Sequence, residues 1–130
     1  MKKILYLFLI SFVLFSCVTR KNKQVNLYNL DEISKSLKIN LKVNDVVKLT
    51  ATTNPSTGYN WTIFSDGPCS IKLINRTKED IYTDNRVGVP LREVFEFKAI
   101  NEGNCTMSFD YSRGWEKNVS EVKQIHFKVK

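Results

Sequence analysis

Few residues in this chain could do covalent or metal chemistry. His126 is the only histidine, and Cys17, Cys69 and Cys105 are the only cysteines. His126 alternates with Ile125 and Phe127, a spacing that points it to solvent on a strand. One histidine with no recognisable nucleophile partner does not supply a catalytic triad. The cysteines and histidine lack paired ligand spacing, so no metal site is expected. No phosphate-binding glycine loop of the Walker or Rossmann type occurs, and no cofactor is expected. The chain does not read as an enzyme.

The informative chemistry is recognition chemistry, at residues 54–61, which read Asn-Pro-Ser-Thr-Gly-Tyr-Asn-Trp. Pro55 fixes its own φ and pushes Asn54 toward an extended conformation. Ser56 and Thr57 carry hydroxyls that can bond nearby backbone. Gly58 permits a positive φ or the close approach of another surface. Tyr59, Asn60 and Trp61 begin a strand, with Trp61 directed to the core and Tyr59 beneath the loop. A shaped loop on a rigid strand is a common place for binding residues. Taken alone, the same cluster also describes an ordinary strand connection.

The elements that must position this loop are strands of period two. Ile39, Leu41 and Val43 alternate with polar residues, Asn44 and Asp45 mark a turn, and Val47, Leu49 and Ala51 repeat the pattern. Cys69, Ile71 and Leu73 line another strand after a turn at 66–68. Phe95, Phe97 and Ala99 form one inner face, and Cys105, Met107, Phe109 and Tyr111 the next, with a hairpin turn between them. Ile125, Phe127 and Val129 close the series. Residues 27–37 read as irregular or a short helix. Residues 75–92 carry no clear pattern and read as a long functional or mobile loop. About seven short strands without a long helix predict an all-β antiparallel β-sandwich.

The N-terminus reads as a targeting segment. Lys2 and Lys3 precede an apolar run at 4–15. As a helix those residues would span about 18 Å, short of a bilayer core. Residues 14–17, Leu-Phe-Ser-Cys, resemble a bacterial lipobox. The reading is therefore a signal peptide at 1–16, a lipidated Cys17 with a polar tether to 26, and one domain at 27–130. An ordinary secretory signal is the simpler alternative. Either places the domain outside the cytoplasm, and lipidation places it in the cell envelope, periplasmic or at the cell surface, attached to the membrane. Nine flexible residues would reach roughly 15–18 Å. Without Lys2 and Lys3 the chain keeps 18 basic against 13 acidic residues. Its basic residues form no long block or aromatic-interleaved run, so nucleic acid is not an expected partner.

The 54–61 stretch resembles the signature Asn-Pro-Thr-Thr-Gly-Tyr-x-Trp of the chagasin family, inhibitors of papain-like cysteine proteases, with Ser56 in place of a threonine. A second motif of that family is a glycine-rich loop before an aromatic strand. Gly88, Val89, Pro90 and Leu91 stand there, with only Gly88 retained. The third is Arg-Pro-Trp after a strand ending in tyrosine. Here it is Arg113, Gly114 and Trp115 after Tyr111, with Gly114 replacing the proline, a change that frees the loop and raises its ordering cost. The resemblance covers roughly 39–130 and implies an immunoglobulin-like sandwich with its loops at one end. It implies a reversible, non-covalent inhibitor whose loops enter the protease cleft. Residues 54–59 would do so near the catalytic residues, with 88–91 and 113–115 gripping either side. Thr57 would hydrogen-bond in the cleft, Gly58 would pass close to the catalytic thiol, Trp115 would be an aromatic anchor, and Arg113 would pair with carboxylates. A monomer is expected.

Two alternatives stay open at this level. Cys69 and Cys105 fall on inward positions and either form a disulfide, worth about 4 kcal/mol in the chain-entropy model, or remain buried thiols. The functional alternative is an immunoglobulin-like surface module that binds a glycan or a partner protein.

Overall fold

The computed structural model describes residues 25–130. The expected signal segment, Cys17 and most of the expected tether lie outside the described residues. Asn26, expected in the tether, instead opens the first strand.

Eight strands follow in order: β1 (Asn26–Asn29), β2 (Ser36–Leu41), β3 (Val46–Thr53), β4 (Tyr59–Ser65), β5 (Ile71–Asp80), β6 (Leu91–Ala99), β7 (Gly103–Arg113) and β8 (Glu121–Val129). They form two four-stranded sheets, ordered β1-β3-β6-β5 and β2-β8-β7-β4. Most pairings are antiparallel, but β1 runs parallel to β3 and β2 parallel to β8. Both parallel pairs lie at sheet edges, so the sandwich is mixed there.

The alternating residues meet between the sheets. Val47, Leu49, Phe95, Phe97, Phe109, Ile125 and Phe127 are buried. Phe109 meets Phe95 edge-on at 5.5 Å and Phe97 at 6.0 Å. Each buried phenylalanine contributes about 1.5–3 kcal/mol relative to exposure. A disulfide joins Cys69, before β5, to Cys105 on β7, with Cα atoms 5.0 Å apart.

Three sequence expectations change. Residues 27–37 contain β1, a single 3-10 turn at Leu30–Glu32 and the start of β2. Asn29 caps the turn, accepting from the Asp31 N–H at 3.1 Å, and Leu30 is fully buried beneath it. The stretch at 75–92 is not one long loop. Strand β5 runs to Asp80 and β6 starts at Leu91, leaving a connection at 81–90. As an edge strand, β5 is exposed along nearly its whole length, which erases the period-two signal. Leu73, still in register opposite Phe97, is 37% exposed because β5 is the edge of its sheet.

The fold has two distinct ends. The connections 54–58, 81–90 and 114–120 leave the sheets at one end, the loop end. The turns 42–45, 66–70 and 100–102 lie at the other, together with the start of β1, where Asn26 pairs with Val47.

Candidate functional site

The first loop is built mainly from its own hydrogen bonds. Pro55–Thr57 form a 3-10 turn. The Thr57 N–H donates to the Asn54 carbonyl at 3.1 Å and the Gly58 N–H to the Pro55 carbonyl at 3.0 Å. Thr57 Oγ1 donates to the same Asn54 carbonyl at 2.7 Å, and Ser56 Oγ donates to Asn54 Oδ1 at 2.6 Å. The two hydroxyls therefore hold the loop's shape. Gly58 ends the turn at φ 81, the left-handed region that suits glycine.

The other two loops touch the first. Ser56 Oγ lies 3.3 Å from the Gly88 carbonyl, a longer contact that shares its one hydroxyl proton with Asn54 Oδ1. Arg113 Nε donates to the Thr57 carbonyl at 3.0 Å, and Arg113 Nη1 reaches Glu116 Oε1 at 2.8 Å. That carboxylate hydrogen bond raises the Arg113 pKa further above its ordinary value. The Trp115 ring lies against Gly58 so closely that an added Cβ would stand 2.8 Å from Cζ3 and overlap Cη2. Trp115 is nevertheless 73% exposed, with the Arg113 guanidinium 6.0 Å from its ring.

Beneath the loops runs a stacked column. The Arg113 guanidinium sits 4.4 Å over Tyr59, Tyr59 lies 5.1 Å from Tyr111, and Tyr111 lies 4.8 Å from the buried Trp61. Trp61 Nε1 donates to the Thr52 carbonyl at 2.9 Å, and the Asn54 N–H donates to the Tyr111 hydroxyl at 3.1 Å. Burial raises the Tyr111 pKa, against the lowering effect of the Asn54 bond.

Of the residues singled out in the sequence, Asn54, Pro55, Ser56, Thr57, Gly58, Tyr59, Gly88, Arg113, Gly114 and Trp115 come together at the loop end. Val89 and Pro90 continue the second loop. Leu91 is its base, already in β6 and paired with Thr53 and Asp80. His126 lies away from this cluster, half-buried on β8, with Nδ1 2.9 Å from Thr106 Oγ1.

Three contributions escaped the sequence reading. Val87 is 98% exposed beside Gly88. Arg76 on β5 donates to the fully buried Glu93 at 2.6 Å and to the Trp61 carbonyl at 2.7 Å, so it ties the strands beside the second loop to the strand that leaves the first. Tyr111, expected on the inner face and at the strand end before the third motif, also holds the Asn54 N–H through its hydroxyl. Only the parity of Glu93 with Phe95 and Phe97 signalled an inward acid.

A family model described as chagasin family peptidase inhibitor matches residues 40–129. The chain belongs to the chagasin family. Amoebiasin-2 of Entamoeba histolytica is 29% identical over 91 residues, covering 70% of this chain and 74% of that protein. The crystal structure of the cysteine protease inhibitor EhICP2 from the same organism superposes with a TM-score of 0.69 at 25% identity, covering 82% of this chain and 96% of that one. PbICP-C, solved in complex with falcipain-2, shares the fold with a TM-score of 0.58 at 18% identity, covering 83% and 92%. As a chagasin-family member the chain is a cysteine protease inhibitor and not an enzyme.

Proposed function

We propose that the loop end enters the active-site cleft of papain-like cysteine proteases and blocks it reversibly, without a covalent bond. The convergence of three loops, fastened to one another by Ser56, Arg113 and the Trp115–Gly58 contact, carries this reading. Residues 54–58 form the centre of the wedge. Because the Thr57 hydroxyl is spent inside the loop, the shaped backbone is what meets the cleft. Trp115 and Val87 present apolar surface on either flank, and 88–91 complete the second flank. Arg113 acts as a brace, since its guanidinium is engaged by Thr57, Glu116 and Tyr59. A wedge of this kind buries about 1,600 Å² in total. A loop already ordered when free lowers the entropy lost on docking.

The location proposed with it is the cell envelope. Cys17 carries a lipid that holds the domain at a membrane outside the cytoplasm.

The test is inhibition of papain and cathepsin L by protein lacking residues 1–16, beside Thr57→Ala and Trp115→Ala. Tight, reversible inhibition is expected. Loss of the Trp115 ring should weaken it roughly 30-fold or more, the range of an aromatic hot spot. Loss of the Thr57 hydroxyl should weaken it by loosening the loop. Inhibition that leaves both variants unchanged would refute the wedge.

A further inference from the structure

We propose that the end of the sandwich opposite the loops is a docking surface for an anionic lipid bilayer, so that the anchored protein stands with its loops facing away from the membrane. This rests on the reading of Cys17 as a lipid anchor.

The first observation is where the chain enters the fold. Asn26 pairs with Val47, immediately after the turn at 42–45. Eight residues separate Cys17 from Asn26, nine steps that span at most about 32 Å even when fully extended. Strand β3 has 8 residues and is itself about 24–27 Å long. Reaching the membrane with the loop end would require those eight residues to run back along nearly the whole sheet. Resting on the opposite end requires no such extension.

The second observation is charge. Lys42, Lys72, Lys98, Lys128 and Lys130 stand near this end, Lys72 and Lys98 on the outer face of one sheet and Lys128 on that of the other, and none joins an ion pair among the described residues. Lys72 and Lys98 stand directly opposite each other across β5 and β6. Like charges in that position are unfavourable for a sheet, so the fold does not need them. Asp45, Asp66 and Glu102 share the region and keep their charge, Asp45 while accepting the Lys42 backbone N–H at 2.8 Å, so five lysines stand against three carboxylates and the end stays net positive. Three further cations, Arg20, Lys21 and Lys23, lie in the segment that leads to this end.

The third observation is apolar. Val43 is 36% exposed and Ile100 40% exposed on turns that are bonded to each other. The Asn44 N–H donates to the Ala99 carbonyl, and the Ala99 N–H to the Asp45 carbonyl, each at 2.9 Å. Apolar tips beside lysines suit a bilayer interface, where aliphatic groups enter and ammonium groups meet the headgroups. A soluble polyanion would not reward Val43 and Ile100.

The experiment uses the full chain, acylated and reconstituted in vesicles, with a membrane-impermeant amine reagent and site-by-site mass spectrometry. On phosphatidylglycerol-containing vesicles Lys42, Lys128 and Lys130 should label about fivefold more slowly than on pure phosphatidylcholine, the effect of one surface lysine's attraction. Lys117, on the third loop, should label equally on both. The Lys42→Glu/Lys128→Glu variant should lose the protection of Lys130. Intact mass reports the acyl group on Cys17. Its absence removes the anchor reading and this proposal with it. An acylated chain whose basic end labels equally on both vesicles, or whose Lys117 is protected instead, overturns the docking surface alone.

Discussion

Replacing Gly58 with alanine separates backbone strain from loss of the tryptophan contact. Gly58 holds φ at 81, where a side-chain-bearing residue costs about 1–2 kcal/mol. For a domain of this size that strain lowers Tm by roughly 5–10 °C. It is present in free and bound inhibitor alike, so it largely cancels from the inhibition constant. The new Cβ also overlaps the Trp115 ring. Trp115 is mostly exposed and can swing away at little cost to stability, but it then leaves its place beside the first loop. A displaced aromatic hot spot costs at least about 2 kcal/mol of binding, roughly 30-fold. The assay is a double-mutant cycle of Gly58→Ala and Trp115→Ala, read by the inhibition constant against papain and by thermal melting. Gly58→Ala should lower Tm in both backgrounds. It should weaken inhibition strongly when Trp115 is present and little when Trp115 is already alanine. An equal loss of inhibition in both backgrounds would refute the ring contact as the cause, and an unchanged Tm would refute the strain.

Three further outcomes follow from the same structure. Arg76→Met leaves Glu93 buried without its partner. Such breaks cost about 3–5 kcal/mol when both groups are buried, and the partial exposure of Arg76 reduces this to about 2–3 kcal/mol in urea unfolding. Adding Glu93→Leu should recover most of the loss, and no recovery would contradict the buried-charge account. Burial holds the Tyr111 pKa above its unfolded value of about 10. Its neutral form is therefore favoured in the folded state, so that contribution is complete below pH about 10 and fades as pH rises through the raised value. Tm measured across alkaline pH should fall less steeply in Tyr111→Phe, and an identical fall would assign the effect to another group. Reducing Cys69–Cys105, which closes a separation of 36 residues, should lower stability by about 4 kcal/mol. It should leave inhibition at 25 °C nearly unchanged because the bond lies at the far end, and a parallel loss of inhibition would show that the two ends are coupled.

What the sequence revealed and what it hid divide along one physical line. Alternation marks a strand only where one face is buried. It therefore found Val47 and Leu49, Phe95 and Phe97, Met107 and Phe109, and Ile125 and Phe127, all of which line the core. It found the start of β5 at Ile71 but not its continuation to Asp80, where the edge position leaves the residues exposed, and it missed β1, which is four residues long. The parallel edges were hidden because side-chain alternation is the same for either strand direction. In the candidate site, the three motifs carried residue types but not contacts. Arg113 read as a charge for a protease carboxylate, yet in the fold it meets Glu116, because the turn that closes with the Glu116 N–H on the Arg113 carbonyl at 3.1 Å brings the two side chains together. The Arg76–Glu93 pair lay outside every motif, since its members come from β5 and β6 and its third contact, Trp61, from the other sheet.

The glycine at 114 is where this division matters most for function. From sequence, losing a proline there frees the third loop and raises the cost of ordering it on binding. In the fold the loop is held by other means. Arg113 is fixed from three sides, by the Thr57 carbonyl, the Glu116 carboxylate and the Tyr59 ring, and the Ser120 N–H closes the loop onto the Tyr111 carbonyl at 2.9 Å. Gly114 itself does not need a positive φ, and a Cβ there would meet nothing within 4 Å. Gly114→Ala should therefore be tolerated, and by reducing the freedom of the unfolded chain it should stabilise the domain by about 0.4–1 kcal/mol. If the side-chain braces already order the loop, the same substitution should leave the inhibition constant within about twofold, since little entropy remains to be saved on docking. A large gain in affinity from Gly114→Ala would mean that the loop is loose when free and that Arg113 does not replace the missing ring.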